Sequence, residues 1–128
     1  MKKGMNTKNG YKDLIVWRKS MELVTLIYAL TASFPKSEVY ALTSQMHRAA
    51  VSIPSNIAEG SRRKTDKDAI NFFVISFSSG AELETQIEIA KRLQYGHLEK
   101  YAIIESLLEE VMKMLNKMIS ISKYSYAG

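Results

Sequence analysis

Few residues in this sequence have the types and spacing that chemistry requires. There are two histidines, His47 and His97, and no cysteine. Neither histidine has a second histidine or a carboxylate at metal-ligand spacing, and the Glu-x-x-His motif of bundle metal sites does not occur. The absence of cysteine excludes thiolate metal sites, disulfides and cysteine nucleophiles. Gly60-Ser61-Arg62-Arg63-Lys64 lacks the spacing of a phosphate-cradling glycine loop. Glu82, Glu84 and Glu88 are close enough to suggest paired carboxylates. On a helix that also carries Lys91 and Arg92, they read instead as a solvated charged face. No nucleophile, base and orienting group come together, so the chain is expected to be no enzyme and to need no metal or cofactor.

Cations are the stronger signal. The chain of 128 residues carries a net charge of +5. Residues 1–67 hold 12 Lys/Arg against 5 Asp/Glu, whereas residues 68–128 hold 6 against 8. A basic half points to an anionic partner, nucleic acid first. Arg62, Arg63 and Lys64 are adjacent, Lys67 follows one turn later, and Arg48 lies upstream. Such a cluster supplies donors for phosphates without geometry for reading bases. RNA and DNA are equally compatible with it.

Four helices are needed to position these residues. The first is predicted from an Asp13 cap to about Ala32, with apolar rows Leu14, Trp17, Met21, Val24, Tyr28 and Leu23, Ile27, Leu30, Phe34. Phe34-Pro35 ends it. The second is predicted from Ser37 or Glu38 to Ser61, its apolar spacing from Val39 to Ile57 passing straight through Pro54. Proline removes a donor there, so a kink is expected, with Ser52, Ser55 and Asn56 rebonding the freed groups. The opposite face carries a polar stripe of Gln45, Arg48, Ser52, Asn56 and Glu59. Thr65 caps a third helix from Asp66 to Gln94, apolar nearly all round at 70–77, with small residues from Ser76 to Ala81 in its middle. Gly96 separates it from a fourth, Leu98 to Ile121, whose seam is Tyr101, Ile104, Leu108, Val111, Leu115 and Met118. Glu109 and Lys113 stand at the favourable ion-pair spacing.

Connections this short force an all-α, up-down-up-down antiparallel four-helix bundle over residues 11–122. Residues 1–10 read as a disordered basic arm bearing Lys2, Lys3 and Lys8, and residues 123–128 as a loose tail. No apolar run is long enough to span a membrane and no signal-peptide pattern is present, so the cytoplasm is the expected compartment. The wide apolar arc of the first helix and the apolar 70–77 segment exceed what one bundle can bury. Self-association is therefore expected.

Several segments together resemble a known family. They are Asp13-Leu14-x-x-Trp17, Phe34-Pro35-x-x-Glu38-x-Tyr40-x-Leu42, Gln45-x-x-Arg48-Ala49-Ala50-x-Ser52-Ile53-x-x-Asn56-Ile57-Ala58-Glu59-Gly60, and Glu82-Leu83-Glu84-Thr85-Gln86. They are similar, in this order, to the four-helix proteins encoded in intervening sequences of bacterial 23S rRNA genes, a family that includes the accessory variability determinants of diversity-generating retroelements. The chain departs from that pattern at Phe77-Ser78, where an arginine and a glycine are expected, and at His47, where relatives often carry a second cation. The resemblance implies a ring-like homopentamer without enzymatic activity and, through the retroelement branch, a positive surface that binds nucleic acid. An adaptor that docks a protein partner, such as a reverse transcriptase, is the competing expectation.

Overall fold

The structure, a computed structural model, describes residues 10–127 and the side chains of residues 10–121. The nine residues of the expected arm that precede Gly10 lie outside the described residues. A single 3-10 turn, Gly10–Asp13, leads into α1 (Ile15–Thr31), and a second, Lys36–Glu38, precedes α2 (Leu42–Ser61). Helices α3 (Asp66–Arg92) and α4 (Glu99–Ala127) follow, with no strand among the described residues. Consecutive helices pack side by side, and α1 also packs on α4, which closes a square antiparallel bundle. None of these helices is long and apolar enough to cross a membrane.

The core follows the predicted spacing closely. Leu23, Ile27 and Leu30 of α1 meet Met46, Ala49, Ile53 and Ile57 of α2, and all are buried. Leu83, Ile87 and Ala90 come from α3, and Tyr101, Ile104, Leu108, Val111 and Leu115 from α4. Of the two α1 rows, only the one from Leu23 to Phe34 is fully buried; in the other, Met21 and Tyr28 remain exposed.

The helix starts differ from expectation. Asp13 does not cap α1: Leu14 occupies the cap position with no side-chain bond, and Asp13 instead pairs with Arg18 at 3.1 Å. Helix α2 begins at Leu42, four residues after Glu38. The Glu38 carboxylate accepts from Leu42 N at 3.3 Å, so it caps the helix from a preceding turn. Val39, read from the sequence as part of the apolar face, is thereby left exposed. Thr65 behaves as predicted and accepts from Asp68 N at 3.2 Å.

Helix α2 is continuous across Pro54, whose ring is buried. Around it the Ser55 hydroxyl donates to Val51 O at 2.8 Å, and the Asn56 amide donates to Ser52 O at 2.9 Å. At the small-residue segment of α3 both neighbouring helices approach closely. Ser76 donates to Ile53 O at 2.9 Å, the hydroxyls of Ser79 and Ser52 lie 2.7 Å apart, and Gly80 sits against the Met112 thioether. At the other end of α2, a side chain at Gly60 would meet the Phe73 ring at 2.5 Å. Sequence-level apolarity at 70–77 therefore has two uses: Phe73 is buried with Ala69 and Ile119, while Val74 and Ile75 face outward.

Helix α3 stops at Arg92, two residues before the predicted end. Tyr95 N bonds Ala90 O and Gln94 N bonds Lys91 O, with Gln94 at φ 62. This double bond pattern is a Schellman stop, and its left-handed residue is a glutamine while the nearby glycine, Gly96, serves the following turn at φ 73. Helix α4 runs to Ala127, past Ile121, since neither glycine nor proline intervenes before Gly128.

Candidate nucleic-acid interface

The antiparallel order sets the α2–α3 turn beside the start of α1. Arg62 caps the C-terminus of α2, and its guanidinium lies over the Tyr11 ring, 5.1 Å from the centroid. Tyr11 in turn meets Trp17 edge-on, with ring centroids 5.3 Å apart. Arg18 is fixed from two sides: its Nε donates to Lys12 O at 2.8 Å and one terminal nitrogen donates to Asp13 at 3.1 Å. Gly10, Tyr11, Lys12, Asp13, Arg18, Ser61 and Arg62 enclose an open cleft of about 460 Å³.

The five cations expected to act together are not equivalent. Lys64 and Lys67 are exposed at this end of the bundle, beside Arg62. Arg63 is engaged internally: it pairs with Glu59 one turn back and stacks over Phe72 at 4.6 Å. Glu59 of the polar stripe is thus paired by Arg63 just past the end of its own helix, where a neighbouring helix or subunit was expected. Arg48 is exposed on α2 but lies fourteen residues from Arg62, about 21 Å along the helix axis. It does not join the cluster. Within the stripe, Asn56 donates to Ser52, and the Ser52 hydroxyl meets that of Ser79 across the α2–α3 contact, whereas Gln45 and Arg48 stay exposed.

Sequence reading missed Lys12 and Arg18 as members of the cationic end, and Tyr11 as its aromatic. The signal was present in Asp13-x-x-x-x-Arg18, a spacing that lets the arginine fold back on the turn before the helix. Assigning Asp13 as a cap concealed it.

The far end of the bundle carries the other polar contacts. Tyr95 donates to Glu38 at 2.9 Å, and Tyr101 donates to Tyr95 O at 2.6 Å. The hydrogen bond to Glu38, then burial, holds the Tyr95 phenol above its ordinary range, and burial does the same for Tyr101. His47 stacks on Tyr28 at 3.8 Å and its Nε2 lies 2.7 Å from Thr31 Oγ1. Burial pushes its pKa below the usual 6.5. A larger groove of about 720 Å³ runs between α3 and α4, lined by Glu84, Glu88, Glu105 and Glu109. Glu88 bonds Arg92 at 2.9 Å and Glu105 bonds Lys91 at 3.1 Å. Glu109 and Lys113 form no ion pair, and Glu109 lines this groove. Among the described residues no cluster of three or more His, Asp or Glu could hold a metal ion.

Comparisons with known proteins agree with this architecture. No curated protein matches the chain. A crystal structure of a protein of unknown function from the S23 ribosomal protein family of Bacteroides thetaiotaomicron is similar, at 27% identity and a TM-score of 0.73. The match covers 82% of this chain and 98% of that one. The family model described as 23S rRNA-intervening sequence protein matches residues 12–117, from the cationic turn before α1 to the last turns of the α4 seam, and the chain belongs to that family.

Proposed function

We propose that this protein binds nucleic acid, RNA or DNA, through the cationic end of its bundle, and that it does so as a homo-oligomer without catalysing a reaction. The observation that carries the reading is the convergence of Lys12, Arg18 and Arg62 from two separate stretches of sequence onto one cleft, with the exposed Lys64 and Lys67 following Arg62 in the chain. Lys and Arg side chains there neutralise phosphates and release counterions, a mode that needs no base contacts. One protomer offers few such contacts. Several copies held together multiply them, and avidity raises the affinity without any new chemistry.

Exposed apolar side chains support self-association. Met21 and Tyr28 on α1, Val51 on α2, and Val74, Ile75 and Ile89 on α3 are each at least 39% exposed. Family membership favours a pentamer over a two-fold dimer; the exposed apolar surface alone says only that copies associate. The test is a filter-binding series on RNA and duplex DNA fragments from low to moderate salt, with molar mass measured by light scattering in the same buffer. Affinity should fall steeply with salt, by roughly tenfold or more between 50 and 200 mM. The mass should approach five times the 14.5 kDa of one chain. Reversing charge with Arg62→Glu and Lys64→Glu together should remove most of the binding, while Arg48→Glu should have a lesser effect. Salt-independent binding, or a monomer at micromolar concentration, overturns the reading.

A further inference from the structure

We infer that the cleft beside Tyr11 is a stacking subsite for an unpaired base, so that the cationic end prefers single-stranded nucleic acid to duplex. This rests on the proposed nucleic-acid reading and narrows it to a substrate class. A purely electrostatic end would need only exposed lysines. Here the cations are arranged around an aromatic ring.

Three features make the cleft suitable. Arg62 lies over Tyr11 at 5.1 Å and is itself exposed, so a planar base can add its π-face to this cation–π pair. Stacking of this kind accepts every base, because each has a π-face, and an arginine plane serves as well as an aromatic one. Arg18 is held in place by Lys12 O and Asp13, yet its side chain is 64% exposed. Two of its nitrogens are engaged inside the cleft, and its remaining N–H groups stay available to a phosphate in a fixed orientation. The volume, about 460 Å³, falls within the usual range of small-ligand sites, roughly 300–1,000 Å³, and so accommodates one nucleotide unit. In a duplex the bases are stacked on one another and cannot reach Tyr11, which leaves only the phosphate contacts. Stacking and phosphate contacts are common to both sugars, so single-stranded RNA and DNA should bind alike.

The chain has one tryptophan, Trp17, and it touches Tyr11 edge-on. Its emission therefore reports occupancy of the cleft. The experiment titrates the full chain with ten-nucleotide oligouridylate, the matching oligodeoxythymidylate and a ten-base-pair duplex at one fixed moderate salt. Binding is followed by anisotropy of the labelled strand and by Trp17 emission. Both single strands should bind about tenfold or more tighter than the duplex and alone change the emission. Tyr11→Ala should lose about tenfold for single strands and little for duplex, Tyr11→Phe should keep wild-type affinity, and Arg62→Lys should lose affinity despite keeping its charge. If Tyr11→Ala does not fold by circular dichroism, the comparison of Arg62→Lys with Tyr11→Phe decides. Equal, salt-dependent binding of single strand and duplex, unmoved by these variants, overturns the stacking subsite and leaves the electrostatic reading standing. Absence of binding to either form even at low salt overturns both.

Discussion

The two ends of the bundle are built on opposite plans. At the end that holds the α1–α2 and α3–α4 connections, polar groups face one another. Glu38 caps α2 and accepts from Tyr95, Tyr101 bonds the Tyr95 carbonyl, and Phe34 packs on the Tyr95 ring. At the cationic end, Lys64 is exposed and Arg62 lies over an aromatic ring. Satisfied hydrogen bonds make one end a clamp, whereas the other carries more cations than its carboxylates Asp13, Glu59, Asp66 and Asp68 offset, and that surplus works against compactness. A fold can carry such a charged end because its opposite end and its core hold the helices in register.

Four changes break or sharpen this contrast. The largest effect is expected at the cationic end, from packing and not from charge. Gly60→Ala places a methyl group against the Phe73 ring and should cost about 2 kcal/mol in urea unfolding, well beyond the helix-propensity gain of alanine. A stability equal to wild type would mean that Phe73 can move aside. Next comes the clamp: Tyr101→Phe removes the donor to Tyr95 O and should cost about 1 kcal/mol, measured in the same way. Gln94→Gly should act in the other direction. It relieves a left-handed glutamine at a helix stop and should stabilise by about 1 kcal/mol, raising the melting temperature by a few degrees.

The smallest effects are pH-dependent and confined to the clamped end. His47 has a lowered pKa in the folded protein, so its contribution is present above pH 6.5 and fades as pH falls through the depressed value. Tyr95 and Tyr101 have raised values, so their contribution is complete below pH 10 and is lost as pH rises through the elevated ones. Thermal melts across pH should decline at both extremes. His47→Gln should flatten only the acid limb, and a decline that survives that substitution would move its origin elsewhere.

Much of the fold was legible because helical periodicity survives from sequence to core. Leu23, Ile27 and Leu30, the α4 seam, and the Thr65 cap all sit where spacing put them. What escaped was decided by tertiary contact. Val39 continues the apolar period of α2, yet Glu38 starts that helix only at Leu42. Gln94 lies beyond the stop of α3, although a glycine two residues later looked the better candidate. For the candidate site, the run Arg62 to Lys64 was readable as a cluster, but its partners were not. Lys12 and Arg18 reach it only because α1 lies alongside α2, and Arg63 leaves it because Glu59 and Phe72 are nearer. Periodicity says which face turns inward, and says nothing of which exposed cation finds a neighbour.

The contact of α1 with α4 bears on how the bundle assembles in time. Three of its four seams join helices that follow one another along the chain, and such seams zip locally and fast. The fourth joins the first helix to the last and cannot close until the intervening chain has been gathered, at an entropic cost that grows with the length of the loop. Closure of that seam is expected to come late, and apolar side chains buried in it, such as Leu23 and Leu115, should affect how quickly the bundle opens more than how quickly it forms. A circular permutant that joins α4 to α1 through a short linker and opens the α2–α3 turn would exchange the late seam for a local one. It would place the new late contact, in the same stroke, at the helix pair bound by Ser52, Ser76 and Ser79.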